Sequence, residues 1–289
     1  MPSYDPASSS ATRALLRELG AAPNRTLGQN FLINPGALDR IVATAQITEN
    51  DSVLEIGPGL GALTCRLLAC AARVAAVEKD PQFIALLREK LPPLRLVRGD
   101  ALKVSWDELD LPDSGVKVAA NLPYSISKPM LRRLLEEWRA HLVSATLTVQ
   151  KEVAERIVAA PGTGAYGPMA IMCALHARAR RIFDIAPGSF LPPPEVTSSV
   201  VHLEVRAKPA LDVGDENFFW RVVRAAFGQR RKQLGNTLRA VESDREKLRA
   251  ALGAAGIDAM RRGETLSLEE FARLAGALAG ALSETATSN

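Results

Sequence analysis

The chain has 289 residues, long enough for two domains, and its 47% hydrophobic and 24% charged residues exclude a disordered or fibrous protein. No apolar run approaches the roughly 20 residues of a membrane span, and the opening MPSYDPASSS lacks the basic start and apolar core of a signal peptide, so a cytoplasmic protein with no membrane partner is expected. The net charge of +4 is mildly basic and by itself names no partner.

Residues 1–24 are expected to form a flexible extension, Ser-, Ala- and Pro-rich to about residue 10, with a short helix over 11–19. RTLGQNFL (25–32) follows, polar and glycine-containing. It reads as a loop or as a ligand-lining segment in which Gln29 and Asn30 offer amides. A helix is expected next, with Asn34 as its cap and Pro35 in its first turn.

The stretch DSVLEIGPGLG (51–61) organises the rest. Val53, Leu54 and Ile56 form a buried strand that ends at a glycine turn, and 62–69 is helix-compatible. Gly57, Gly59 and Gly61 leave backbone where side chains would block a ligand, which suits an adenosine-containing cofactor at the carboxyl end of a parallel sheet. Glu78 lies 21 residues after Gly57, at the usual place for an acid on ribose hydroxyls. Gly57, Gly59 and Ala62 also fit the looser dinucleotide pattern, and the glycines could serve tight packing alone. No G-K-[ST] follows, so a phosphate-cradling loop is excluded.

Further strands are expected at 73–77, 94–97, 116–120, 145–149, 178–185 and 200–205, with helices at 81–90 and 128–140. This alternation gives a doubly wound, Rossmann-like α/β sheet over 25–207. Glu78, Asp100 and Asn121 all close strands, at the edge where such sheets bind ligands. From 208 to 289 the pattern is helical and is expected to form a small separate domain. Cys65, Cys70 and Cys173 are odd in number and scattered, and the three histidines show no ligand spacing, so neither disulfides nor a metal is expected.

Asn121-Leu122-Pro123-Tyr124 carries the chemistry. Proline fixes the backbone direction, so the Asn side chain and a neighbouring carbonyl can both accept from one amino group. Tyr124 offers a flat face for stacking. Together these residues suit an exocyclic amine on a flat base, such as adenine N6. Two acceptors on its hydrogens favour a pyramidal nitrogen with a free lone pair. A sulfonium methyl is electrophilic enough to be attacked without metal or strong base, which leaves catalysis to positioning. An ordinary turn after a strand would show the same four residues.

LGQNFL (27–32), VLEIGPGLGALT (53–64), Glu78, GDA (99–101), NLPYSIS (121–127), QKEVAERI (150–157), FLPPPEVTSSVV (190–201) and FGQRRKQLGNTL (227–238) occur together in this order. The combination resembles the ribosomal small-subunit RNA adenine dimethyltransferase family. The erythromycin-resistance methyltransferases share the cofactor and NLPY-like motifs, whereas 227–238 resembles the small-subunit branch. The resemblance implies S-adenosylmethionine as cofactor. It implies N6-dimethylation of two adjacent adenosines near the 3′ end of 16S ribosomal RNA, in an assembling small subunit. It carries Gln29, Asn30, Leu32, Gly57 and Gly59 over as cofactor contacts, Glu78 to the ribose hydroxyls, and Asp100 and Ala101 to the adenine. Asn121 would border both cofactor and target, in the catalytic loop with Leu122 and Pro123. Tyr124 and Phe190 would bracket the target base, although from residue type alone Phe190 reads as core. Glu195 departs from the family, which often has lysine there.

Arg221, Arg224, Arg230, Arg231, Lys232 and Arg239 fall in an acid-free stretch, and Arg156, Arg178, Arg180 and Arg181 in another. Such clusters suit phosphate contacts to RNA, although an isolated charge run is commonly just a solvated face. An assembly factor that only binds immature subunits, a nicotinamide-dependent oxidoreductase and a DNA adenine methyltransferase are the competing readings. Nothing indicates an obligate dimer, and a monomer is expected.

Overall fold

The structure, a computed structural model, describes residues 4–23, 28–229 and 231–287. Its strands are β1 (Phe31–Leu32), β2 (Ser52–Ile56), β3 (Arg73–Glu78), β4 (Arg95–Arg98), β5 (Val116–Asn121), β6 (Leu142–Gln150), β7 (Ala177–Ile185), β8 (Phe190–Leu191) and β9 (Ser198–Val205). Its helices are α1 (Ser9–Glu18), α2 (Pro35–Ala45), α3 (Ala62–Leu68), α4 (Pro81–Lys90), α5 (Ser127–Glu136), α6 (Lys151–Ile157), α7 (Pro168–His176), α8 (Glu216–Phe227), α9 (Leu234–Thr237), α10 (Arg245–Ala254) and α11 (Leu268–Thr287). None of them is long and apolar enough to cross a membrane.

The chain divides into two compact units, Met1–Glu155 with His176–Ala207, and Arg156–Leu175 with Lys208–Asn289. In the first, seven strands form one sheet in the order β4-β3-β2-β5-β6-β9-β7. Strands β4 to β6 run parallel, and β9 is antiparallel to both β6 and β7. Val53, Leu54 and Ile56 of β2 are fully buried, as expected for a central parallel strand covered on both faces. The chain leaves β2 for β3 on one side and later reaches β5 on the other. The carboxyl end of β2 is therefore the switch point of the sheet, where ligand crevices form. A separate two-stranded ribbon pairs Phe31 with Leu191 and Leu32 with Phe190.

Helix starts follow local capping chemistry. The Asn34 side chain accepts from the Ala37 N–H with Pro35 next in line, and Asp80 accepts from Gln82 N–H ahead of Pro81. The expected loose N-terminus is corrected over its described part. Ala7 and Leu16 are buried, and Ser8 caps α1. Thr12 and Leu16, four residues apart, share the buried face of this helix.

The second unit has its own core, in which Phe219 and Val222 of α8, Leu248 and Leu252 of α10, and Phe271 and Leu274 of α11 are buried together. Tyr166, Ile171 and Leu175 join them, so 156–175 belongs here rather than with the sheet, which differs from a single boundary near residue 207. The physical reason is apolar burial backed by polar anchors: Tyr166 Oη donates to the Leu266 carbonyl, and the Gly162 N–H to that of Glu264.

Candidate functional site

A cavity lies at the carboxyl ends of β2, β3, β4 and β5. Its lining includes Gln29, Asn30, Leu32, Gly57, Gly59, Glu78, Asp100, Ala101, Asn121, Leu122, Pro123 and Tyr124. These residues come from five separate stretches of chain. Gly57 turns the chain out of β2 with φ +67, its N–H bonded to the Val77 carbonyl at 3.0 Å. Gly59 has φ +56, and a Cβ there would sit 3.1 Å from the Phe31 ring. A side chain at Gly59 would thus be strained and would crowd the cavity wall.

Glu78 is held from three directions. Its Oε1 accepts from the Lys79 and Asp80 N–H groups at 2.8 and 2.9 Å, and its Oε2 from the Gly59 N–H at 3.0 Å. One carboxylate therefore fixes both the glycine turn and the start of the next connection. Burial pushes its pKa up, opposed by those backbone donors. Asp100 accepts from the Leu102 N–H and pairs with Lys79 at 3.3 Å, which holds its carboxyl below the usual range. Glu55, also in the lining, is 1% exposed and accepts from Thr64 Oγ1 at 2.7 Å. Burial pushes its pKa up to about 8 against the Thr64 hydrogen bond, with Glu78 adding to the rise.

The loop after β5 lies against this turn. A Cβ on Gly57 would touch the Pro123 ring at 3.5 Å, and one on Gly28 would come within 3.3 Å of the Tyr124 nitrogen. Asn121 Nδ2 donates to the Asn30 carbonyl at 3.0 Å. That bond uses the donor end of the amide and leaves Oδ1 as an acceptor. The Leu122 N–H is taken by the Thr148 carbonyl, and the Pro123 carbonyl receives the Ile126 N–H and the Ser127 hydroxyl. The Tyr124 hydroxyl lies 2.5 Å from Ser198 Oγ.

Phe190 is not brought to the cavity. It is 2% exposed and packs in the apolar cluster with Leu32, Ile185 and Val200, the ordinary fate of a large apolar ring. Arg221, Arg224, Arg231 and Lys232 are exposed in the second unit, Arg221 stacking on the Phe218 ring. Arg221 and Arg224 share one face of α8, opposite the buried Phe219, Val222, Val223 and Ala226. Arg230 lies outside the described residues, as do Arg25, Thr26 and Leu27. The other basic stretch is acid-free only in sequence. Folding brings Glu204 to Arg180, and Asp184 and Glu155 to Arg181. Cys65 and Cys173 are free thiols pushed up to about 12 by burial, and no described residues cluster as a metal site.

Three supporting residues escaped the sequence reading. Arg133 is 8% exposed and donates to the Ala101 and Val104 carbonyls, both at 2.6 Å, so it anchors the loop that carries Asp100. Its signal was a cation on the apolar face of a helix, three residues from Met130. Ser198 sits in the FLPPPEVTSSVV stretch, but nothing in sequence connects it to Tyr124. Glu55 precedes the glycine turn, but its burial is not legible locally.

A profile of the family described as "Ribosomal RNA adenine dimethylase" matches residues 21–279. The "Ribosomal RNA small subunit methyltransferase A" of Magnetococcus marinus is 48% identical over 267 residues, 91% of this chain and 94% of that protein. Its namesake in Moorella thermoacetica is 43% identical over 274 residues, 91% of this chain and 95% of that protein. Among solved structures, a dimethyladenosine transferase from Plasmodium falciparum superposes with a TM-score of 0.71 at 26% identity, over 84% of this chain and 95% of that one. The 23S rRNA methyltransferase ErmE does so with a TM-score of 0.66 at 28% identity, over 86% of this chain and 100% of that one.

Proposed function

The chain belongs to the ribosomal RNA adenine dimethylase family, and from that membership we propose S-adenosylmethionine-dependent N6-dimethylation of two adjacent adenosines near the 3′ end of 16S ribosomal RNA. The carrying observation is the meeting of the Asn121–Tyr124 loop with the glycine turn and Glu78 in one cavity. Relatives named for the small subunit match over nine-tenths of the chain, which favours that target over the large subunit.

The residues fit the cofactor. A Cβ at Gly59 would press on the Phe31 ring in the cavity wall, and Glu78, fixed by three N–H groups, keeps one lone pair, on Oε2, for a ribose hydroxyl. Gln29, Asn30, Leu32, Gly57 and Ala101 complete the lining, and Asp100 accepts from the adenine amine. When bound, S-adenosylmethionine supplies an electrophilic sulfonium methyl.

The chain's own residues do the positioning. Tyr124 stacks on the flipped base, oriented by its hydroxyl contact with Ser198. Asn121 Oδ1 and the Leu122 carbonyl accept the two N6 hydrogens, turning the nitrogen lone pair outward. Transfer would form an N6–C bond as the methyl–sulfur bond breaks, its electron pair staying on sulfur to leave S-adenosylhomocysteine, and those acceptors would stabilise the positive nitrogen until its proton passes to water. A second round needs only one N6 hydrogen, and the same acceptors hold it.

Arg221, Arg224, Arg231 and Lys232, with Arg230, supply phosphate contacts to ribosomal RNA inside the small subunit. The protein acts as a cytoplasmic monomer. Incubation with labelled S-adenosylmethionine and unmethylated small subunits, followed by nucleoside analysis, tests the reading. N6,N6-dimethyladenosine is expected in small-subunit RNA, and Asn121→Ala abolishes it while subunit binding survives. Label in duplex DNA or large-subunit RNA instead, or no transfer at all by folded protein, defeats the proposal.

A further inference from the structure

Residues 4–19 are built onto the cofactor cavity. Pro6 and Thr12 line it together with the glycine turn and Glu78. Thr12 is 1% exposed, and its hydroxyl donates to the Pro6 carbonyl at 2.8 Å, so the turn between them closes on itself. The Tyr4 hydroxyl donates to the carbonyl of Leu60, inside the glycine turn, at 2.6 Å. The Cys65 thiol donates to the Tyr4 carbonyl, and Arg66 pairs with Asp5 at 3.2 Å, which ties the same segment to α3.

The helix that follows is fastened on the other side. Leu16 is buried in one apolar cluster with Leu60, Phe83 and Leu191. Gln82 Nε2 donates to the Leu19 carbonyl at 3.2 Å. The segment thus touches three elements that frame the cavity: the glycine turn, the start of α4 just beyond Glu78, and the β1–β8 ribbon. The arginine pair with Asp5 is exposed, whereas the Tyr4 hydrogen bond is half-buried and Leu16 is buried, where a hydrogen bond and an apolar contact hold better.

We propose that residues 4–19 form an outer wall of the cofactor cavity, latched to the glycine turn by Tyr4 and Leu16, and that this wall slows the exit of S-adenosylmethionine and of its demethylated product. The inference rests on the cofactor assignment above. Contacts from Pro6 and Thr12 add to the bound state, so losing the latch acts mainly on the dissociation rate. The wall also delays product exchange between successive methyl transfers.

The test uses the full-length chain and labelled S-adenosylmethionine, chased with excess unlabelled S-adenosylhomocysteine. Tyr4→Phe and Leu16→Ala are expected to speed dissociation, Leu16→Ala by about tenfold. Leu109→Ala is the control, since Leu109 is fully buried in the same unit but does not line the cavity. Faster release from the two latch variants, with release from Leu109→Ala unchanged, supports the wall. Unchanged release from the latch variants, or equal acceleration in Leu109→Ala, overturns it. Failure of the wild-type chain to bind S-adenosylmethionine would overturn the cofactor assignment first, and the wall with it.

Discussion

The hydroxyl of Tyr124, in the loop after β5, meets the hydroxyl of Ser198, at the start of β9, across 74 residues of chain and 2.5 Å of space. Ser198 is fully buried and Tyr124 half-buried, so the contact is partly withdrawn from water. It fixes where the Tyr124 ring can present its face. Ser198→Ala is expected to lower the methyl-transfer rate about fivefold, the equivalent of one neutral hydrogen bond of ~1 kcal/mol. Cofactor affinity stays unchanged. Single-turnover kinetics beside cofactor titration separates the two, and an unaltered rate would remove the positioning role.

Glu78 holds three backbone N–H groups while facing the cavity. Glu78→Gln keeps the shape but weakens the acceptor for the turn and for the proposed ribose contact. Cofactor affinity is expected to fall roughly 10- to 100-fold, from the loss of charge-assisted bonds of ~1.5–3 kcal/mol. Calorimetric titration reads this directly, and an affinity equal to that of wild type contradicts it.

Arg133 satisfies two carbonyls beneath the Asp100 loop and stacks on Trp138. Arg133→Met leaves both carbonyls buried and unpaired. Stability is expected to drop by ~2–4 kcal/mol, with weaker cofactor binding because Asp100 and Ala101 lose their anchor. Lysine offers a point charge without the fork, so Arg133→Lys should fall between the two. Denaturant midpoints and cofactor titrations of all three chains check the order.

Glu55 makes the fold sensitive to pH. Burial raises its pKa to about 8, so the protonated form is the one the fold prefers. Its stabilising contribution is complete at low pH and is lost as pH rises from the free-glutamate value near 4.5 through about 8. Glu55→Gln does not titrate and still accepts from Thr64. Relative to wild type it is expected to gain stability across that window, by up to ~5 kcal/mol above pH 8. Urea midpoints of both chains at pH 5 and pH 8.5 measure the gain. A constant difference between the two pH values would show that Glu55 is already ionised in the fold.

The sheet was legible because its signals are local. Val53 to Ile56 is an apolar run that stops at a glycine turn, and 73–77, 116–120 and 145–149 are largely apolar runs that stop at polar residues. The caps Asn34 and Asp80 lie next to the helices they start. The expected cofactor-lining residues and the Asn121–Tyr124 loop line one cavity, since strand ends in a parallel sheet converge by construction. Phe190 shows where that logic stops, because its residue type suited both a bracket and a core and burial resolved it as core. The arginines of 178–181 show the same limit. Their neighbours in space, Glu204 and Glu155, are distant in sequence.

The sequence by itself determined the chain order of the seven sheet strands, the glycine turn, the polar residues at strand ends and the family. Each of these depends on residue type and spacing along a few turns of chain. Only the tertiary structure decided that Asn121 spends its amide nitrogen on Asn30, that Ser198 meets Tyr124, that Arg133 supports the Asp100 loop, that 156–175 joins the helical unit and that residues 4–19 pack onto the cavity. Those outcomes turn on which buried polar groups find partners and which apolar faces find cover. Both are settled between segments that the chain separates by tens of residues, and no local pattern encodes them.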